Sequence, residues 1–170
     1  CGTGKTSAAI YLSCALRRKT AIVCPSTKLV EQWKSRFEFF APSARIGIIQ
    51  QKQIDVDDCD VVLCMIHSLA RPGKYKDSLF EQFGLVVFDE THHLSAQTFL
   101  RVASLFPAKY KLGLTATPKR RDGLGYVVEW VLGPVLCTIT RTDGARLTVK
   151  KLFNEQPYKT IKRWGKLQIT

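Results

Sequence analysis

With 170 residues, 45% of them hydrophobic and 24% charged, the chain has the size and composition of one ordinary globular domain. A chain of this length buries about 70% of the surface its unfolded form exposes. No apolar run approaches the ~20 residues of a membrane-spanning helix, so collagen-like fibres, disordered tails and integral membrane helices are excluded, and no membrane partner is expected. Twenty-six Lys and Arg against 14 Asp and Glu leave a net charge of +12, which in so short a chain predicts a polyanionic partner, nucleic acid ahead of an anionic membrane.

Along the chain, helical and extended patterns alternate. After Gly4, the positions Ala8, Leu12, Ala15 and Leu16 share one face of a predicted helix. Thr20 to Cys24 is the first of several short runs rich in Val, Ile and Leu; the others are Arg45 to Ile49, Val61 to Met65, Leu85 to Phe88, Lys111 to Thr115 and Val135 to Ile139. Such runs, without polar alternation, are how strands buried on both faces of a parallel sheet read. Ser26 or Thr27 can cap a helix carrying Leu29, Trp33 and Phe37, and Ser95 another with Phe99, Val102, Ala103 and Phe106 inward. The alternation predicts a layered α/β fold. From Arg141 onward eight Lys and Arg face two acids, half the net charge. This places a boundary near residue 140, with residues 141–170 as a basic linker or the opening of a further module.

The six cysteines, at positions 1, 14, 24, 59, 64 and 137, form no CxxC pair, and neither they nor His67, His92 and His93 have zinc-ligand spacing. They read as reduced thiols of an intracellular protein. Asp55 to Asp60 lacks the Gly and the closing Glu of a calcium loop and reads as a solvated turn.

The opening CGTGKT is the end of the P-loop pattern GxxxxGK[ST], so the chain is expected to be a fragment that starts inside the loop. Gly2, Thr3 and Gly4 would let backbone N–H groups wrap around phosphates, at the positive end of the helix that follows. Lys5 would sit on the β- and γ-phosphates and the Thr6 hydroxyl on Mg²⁺. Leu85 to Glu90 is an apolar strand delivering two carboxylates at its carboxyl end, the edge where ligands bind in open α/β sheets. There Asp89 would hold Mg²⁺, and Glu90 would orient and deprotonate the water attacking the γ-phosphate of ATP.

DETHH at Asp89 to His93 resembles motif II of superfamily 2 helicases in its DExH form, and Leu114-Thr115-Ala116-Thr117-Pro118 is similar to motif III. Val23-Cys24-Pro25-Ser26-Thr27 resembles motif Ia, and Cys64 to Leu69 stands where motif Ib would. The doubled His, with GLTATPKRRDGL from Gly113 to Leu124, looks most like the XPB-like branch, which includes helicases of large DNA viruses. The resemblance implies a RecA-like P-loop NTPase domain, a parallel sheet sandwiched by helices with its amino-terminal strand missing. That loss would leave two neighbouring strands with unpaired edges, and the fragment marginally folded.

By position, the resemblance makes His92, Thr115 and Thr117 coupling residues between nucleotide and nucleic acid. It puts Pro25, Ser26, Thr27, His67 and Ser68 on the nucleic-acid track, where contacts to phosphate and sugar carry no sequence information. Lys119, Arg120 and Arg121 are added as a phosphate-contacting run, whereas helical spacing makes Trp33 and Phe37 core residues rather than stacking platforms. The implied function is the ATP- and DNA-binding half of a DNA helicase or duplex translocase. ATP and Mg²⁺ are its cofactors, DNA ranks ahead of RNA, and a second RecA-like domain supplies the arginines that complete the site. Without those arginines the 170 residues are expected to turn over little ATP. A DExH RNA helicase, a nuclease-linked restriction motor and a non-hydrolysing nucleotide-gated module stay open as alternatives.

Overall fold

Four apolar runs and one mixed run become the parallel strands β1 (Thr20–Cys24), β2 (Ile46–Gln50), β4 (Val61–Met65), β5 (Leu85–Asp89) and β6 (Tyr110–Leu114). The two-residue β3 (Gln53–Ile54) pairs antiparallel with β2 at one edge. The computed structural model describes residues 4–90, 95–116 and 125–139, together with the backbone of 160–163 and 166–169. The sheet order is β3-β2-β4-β1-β5-β6. β1 is at its centre, in register with β4 (Ile22 opposite Leu63) and with β5 (Ile22 opposite Val87), and is buried at every position. Because these five strands are parallel, their carboxyl ends gather at one edge.

Alternate residues of each strand enter two cores. Ile22, Leu63 and Val87 face α1 (Lys5–Leu16) and α2 (Thr27–Phe40) and pack on Ala9, Ile10, Val30, Trp33 and Phe37. Val23, Val62, Val86 and Phe88 face the opposite layer, which holds the short helices α3 (Ile66–Leu69) and α4 (Ser78–Glu81), then α5 (Ala96–Leu105) and α6 (Gly125–Leu132). Ser95 caps α5 by accepting from the Thr98 N–H at 3.2 Å, and Phe99, Val102, Ala103 and Phe106 are buried beneath it as their spacing predicts. Phe80, Phe83 and Phe88 meet the Phe106 ring edge-on.

Two expectations are corrected. The buried face of α1 carries Ala9, Ile10 and Ser13, whereas Ala8, Leu12 and Ala15 are exposed. Small Ala9 and Ser13 let the helix lie close on the sheet, and the Ser13 hydroxyl satisfies itself by donating to the Ala9 carbonyl at 2.8 Å. Val135 to Ile139 forms no strand: Gly133 (φ 87°) and Pro134 end α6, and Val135, Leu136 and Ile139 stand exposed. Among the described residues the sheet is continuous from β3 to β6, and the outer edge of β6 is unpaired.

A cavity of about 610 Å³ runs along the β6 edge between Leu12 and Leu16 of α1 and Val131 and Leu132 of α6. It lies toward the amino ends of the strands, away from the residues that carry chemistry. The chain divides into two compact units, Cys1–Ile139 and Thr140–Thr170. In the second, β7 (Thr160–Arg163) and β8 (Lys166–Ile169) form an antiparallel hairpin that sequence patterning did not anticipate.

Gly47 in β2 shows how tightly the sheet packs against the turn that follows β3: a Cβ there would lie 2.1 Å from the Asp55 carbonyl oxygen and 2.7 Å from Cys59 Sγ. Gly47→Ala is expected to destabilise the domain by about 1–3 kcal/mol through overpacking, read as a lower denaturant midpoint with an unchanged slope.

Candidate nucleotide and nucleic-acid site

Described motif residues follow β1, β4, β5 and β6 at the carboxyl edge of the sheet. Gly4, at φ 80°, adopts the left-handed turn that launches α1, a conformation glycine takes without a Cβ penalty. Among the described residues no side chain caps the first turn of α1, and that turn holds no acidic residue, which favours an anion at its positive end. Lys5 and Thr6 are the first two residues of that turn and both are half-buried.

Opposite them, β5 ends at Asp89, which is only 7% exposed. Its Oδ2 accepts from the Trp33 indole N–H at 2.8 Å and its Oδ1 from the Glu90 backbone N–H at 3.0 Å. Burial pushes the Asp89 carboxyl above the ordinary carboxylate range and the Glu90 charge adds to this. The Trp33 and Glu90 N–H groups, with the Lys5 ammonium, pull it back. Lys5, far away in sequence, is thus near enough to Asp89 to favour its ionised form. Glu90 is half-buried with φ 51°, a left-handed conformation that costs a non-glycine residue about 1–2 kcal/mol. Thr115, half-buried, follows β6 at the same edge.

Hard oxygen donors from Thr6 and Asp89 suit Mg²⁺, which is held by one or two protein oxygens together with substrate phosphates. Among the described residues no group of three or more His, Cys, Asp or Glu forms a dedicated metal cage. The Asp89 environment fits such a cation for a further reason: a nearby positive charge stabilises an ionised carboxylate that burial makes costly.

On the same edge, β1 leads through Pro25 and Ser26 into α2. Ser26 is the N-cap, accepting from the Leu29 N–H at 3.4 Å, and Thr27 is exposed with its hydroxyl accepting from Gln50 Nε2 at 3.3 Å. After β4, His67 is exposed. Ser68 is buried, its Oγ accepting from the Gln51 N–H at 2.8 Å, so its hydroxyl holds the β2–β3 turn rather than facing solvent. Lys74 Nζ donates to the Gln51 carbonyl from the other side. Gln50 and Gln51 belong to no sequence motif, and only the topology reveals them as partners of Thr27 and Ser68. Trp33 and Phe37 are core residues, as their spacing predicts, at 1% and 0% exposure. That Trp33 also donates to Asp89 was not anticipated, although a buried indole N–H usually finds an acceptor. Gly2, Thr3, His92, Thr117, Lys119, Arg120 and Arg121 lie outside the described residues.

Residues 1–120 match the protein family described as "Type III restriction enzyme, res subunit". The chain belongs to that family. This ResIII-type domain is 33% identical over 153 residues to a protein of Acanthamoeba polyphaga mimivirus that carries the name ATP-dependent RNA helicase L396, covering 90% of this chain and 29% of that protein. It is 30% identical over 172 residues to the DNA 3'-5' translocase XPB2 of Sulfurisphaera tokodaii, covering 98% of this chain and 38% of the relative. The chain thus spans about a third of the length of these relatives. In fold it is similar to the Sulfolobus solfataricus SWI2/SNF2 ATPase core solved with double-stranded DNA, with a TM-score of 0.62 at 23% identity over 78% of this chain and 30% of that one. The fold is that of the RecA-like domains of superfamily 2 helicases, and the sequence relatives are XPB-like and viral helicases.

Proposed function

We propose that this chain is the ATP- and DNA-binding half of an ATP-dependent DNA helicase or duplex translocase. What supports the reading most is that Lys5, in the first turn of α1, is near enough to the buried Asp89 at the end of β5 for its charge to favour the ionised carboxylate. Lys5 and the open N–H groups of α1 would bind the β- and γ-phosphates of ATP. Thr6 and Asp89 would hold Mg²⁺, which when bound neutralises charge on those phosphates. Glu90 would orient the attacking water and take its proton at the carboxylate. The intact set of Lys5, Asp89 and Glu90 argues against a non-hydrolysing module.

The exposed Thr27 and His67, with Pro25 and Ser26, stand at the edge shared with the nucleotide site and would take phosphate and sugar contacts; Lys119, Arg120 and Arg121 would extend that track. Ser68 would act by fixing the adjacent β2–β3 turn. His92, Thr115 and Thr117 would couple the two functions, and a second RecA-like domain would close over the nucleotide. The net charge of +12 supports a nucleic-acid partner, and the name of the S. tokodaii relative favours DNA. The names of the viral and XPB-type helicase relatives favour an intracellular location. Among the described residues no helix is long and apolar enough to cross a membrane.

The name of the mimivirus relative favours an RNA-directed motor as the second reading. ATP turnover by the full-length protein, measured with duplex DNA, single-stranded DNA and duplex RNA at one salt concentration, separates the two. Stimulation by DNA is expected. Stimulation by RNA alone would replace the DNA reading, and no turnover under any condition would remove the hydrolytic one.

A further inference from the structure

We propose that Trp33 is a positioning residue for the carboxylate at the metal site: its indole N–H locks the orientation of Asp89 toward the cation. The inference rests on the reading of Asp89 as a Mg²⁺-holding residue. Trp33 lies on the inner face of α2, 1% exposed, in the core formed with Ile22, Val30 and Val87. Packing alone would be served by Leu or Phe at such a position. An indole adds a single N–H donor, and here that donor spans 56 residues of sequence to reach Asp89 Oδ2 at 2.8 Å in a buried bond.

The two hydrogen bonds to Asp89 come from different directions of the chain. Glu90 N–H, from the residue next in sequence, holds Oδ1, and Trp33, from a separate helix, holds Oδ2. Rotation of the carboxylate about its terminal torsion, which is otherwise broad, would break both. Each oxygen keeps acceptor capacity for a cation or its water. The arrangement follows the general design of metal sites, in which groups one shell out fix the ligand and their loss weakens metal binding about 10–100-fold. The position of Trp33 is itself rigid. It lies about two helical turns beyond the Ser26 cap, on a helix whose inner face is anchored by Val30 and Phe37.

The test uses the full-length protein and Mn²⁺ as the probe cation, with its affinity for the nucleotide-loaded protein measured by electron paramagnetic resonance. Nucleotide binding is measured separately in chelator, where the cation plays no part. Trp33→Phe keeps a ring in the core and removes the donor. A second variant carries 3-benzothienylalanine at position 33, which replaces the N–H by sulfur within the same bicyclic outline and so retains the packing if Phe does not. Mn²⁺ affinity is expected to fall about 10–100-fold in the folded variants, with metal-free nucleotide affinity held within about twofold of the wild type. Unchanged Mn²⁺ affinity in the benzothienyl protein would overturn the inference. An equal loss of metal-free nucleotide affinity would also overturn it, because it would mark a merely structural role. If the wild-type protein itself showed no Mn²⁺ dependence, the underlying reading of Asp89 would fail instead.

Discussion

Glu90→Gln in the full-length protein is expected to lower nucleic-acid-stimulated ATP turnover by about 10²–10⁴-fold, the contribution of a positioned general base, while nucleotide affinity changes little. In the proposed function the carboxylate accepts a proton from water, and the amide keeps its size but cannot do so. The position is already unusual. Glu90 adopts φ 51° immediately after a strand buried at all five positions, and such conformations persist only where the surroundings enforce them. The buried β5 therefore presents Asp89 and Glu90 as a fixed pair, to which the proposed function gives different chemical roles. Steady-state turnover together with equilibrium nucleotide binding checks the expectation. A variant that retained wild-type turnover would remove Glu90 from the reaction, and one that lost binding and turnover equally would show that Glu90 acts in ground-state affinity.

Phe106→Ala is expected to destabilise the domain by about 3–5 kcal/mol, the cost of emptying a large buried site that cannot collapse. Phe106 is 1% exposed at the end of α5, and its ring meets Phe80, Phe83 and Phe88 with centroids 5.0, 5.8 and 6.4 Å away. Those three rings come from α4, from the turn before β5 and from β5 itself, so the void opens beneath the strand that carries Asp89. Aromatic edge-to-face contacts add to the burial of area. Urea unfolding of the domain measures the effect; a loss under about 1 kcal/mol would mean that this layer repacks freely.

The central strands were legible because a strand covered on both faces admits only one kind of residue. Thr20–Cys24 and Val61–Met65 read as apolar runs with the bounds that the sheet gives them. Val135 to Ile139 has the same composition and failed, since apolar character says nothing about whether a partner strand is available. The α1 face failed for a related reason. Leu12 and Leu16 are large apolar residues, yet the sheet takes Ala9, Ile10 and Ser13 on its side and leaves Leu12 39% exposed. Caps read well because Ser95 and Ser26 act on neighbours three residues away. The Trp33–Asp89 bond, the Gln51–Ser68 bond and the Gln50–Thr27 bond did not, because each depends on which strands the topology sets side by side.

The claim on which the account stands is that the glycine turn before α1 and the acidic end of β5 serve one metal–triphosphate. A crystal structure of the full-length protein with a non-hydrolysable ATP analogue and Mn²⁺, read by anomalous scattering, tests it most directly. The account predicts a single cation peak within direct or one-water reach, about 2–4 Å, of both the Thr6 hydroxyl and the Asp89 carboxylate, with Lys5 on the phosphates. A triphosphate bound elsewhere, or a cation reached by only one of the two groups, would contradict it.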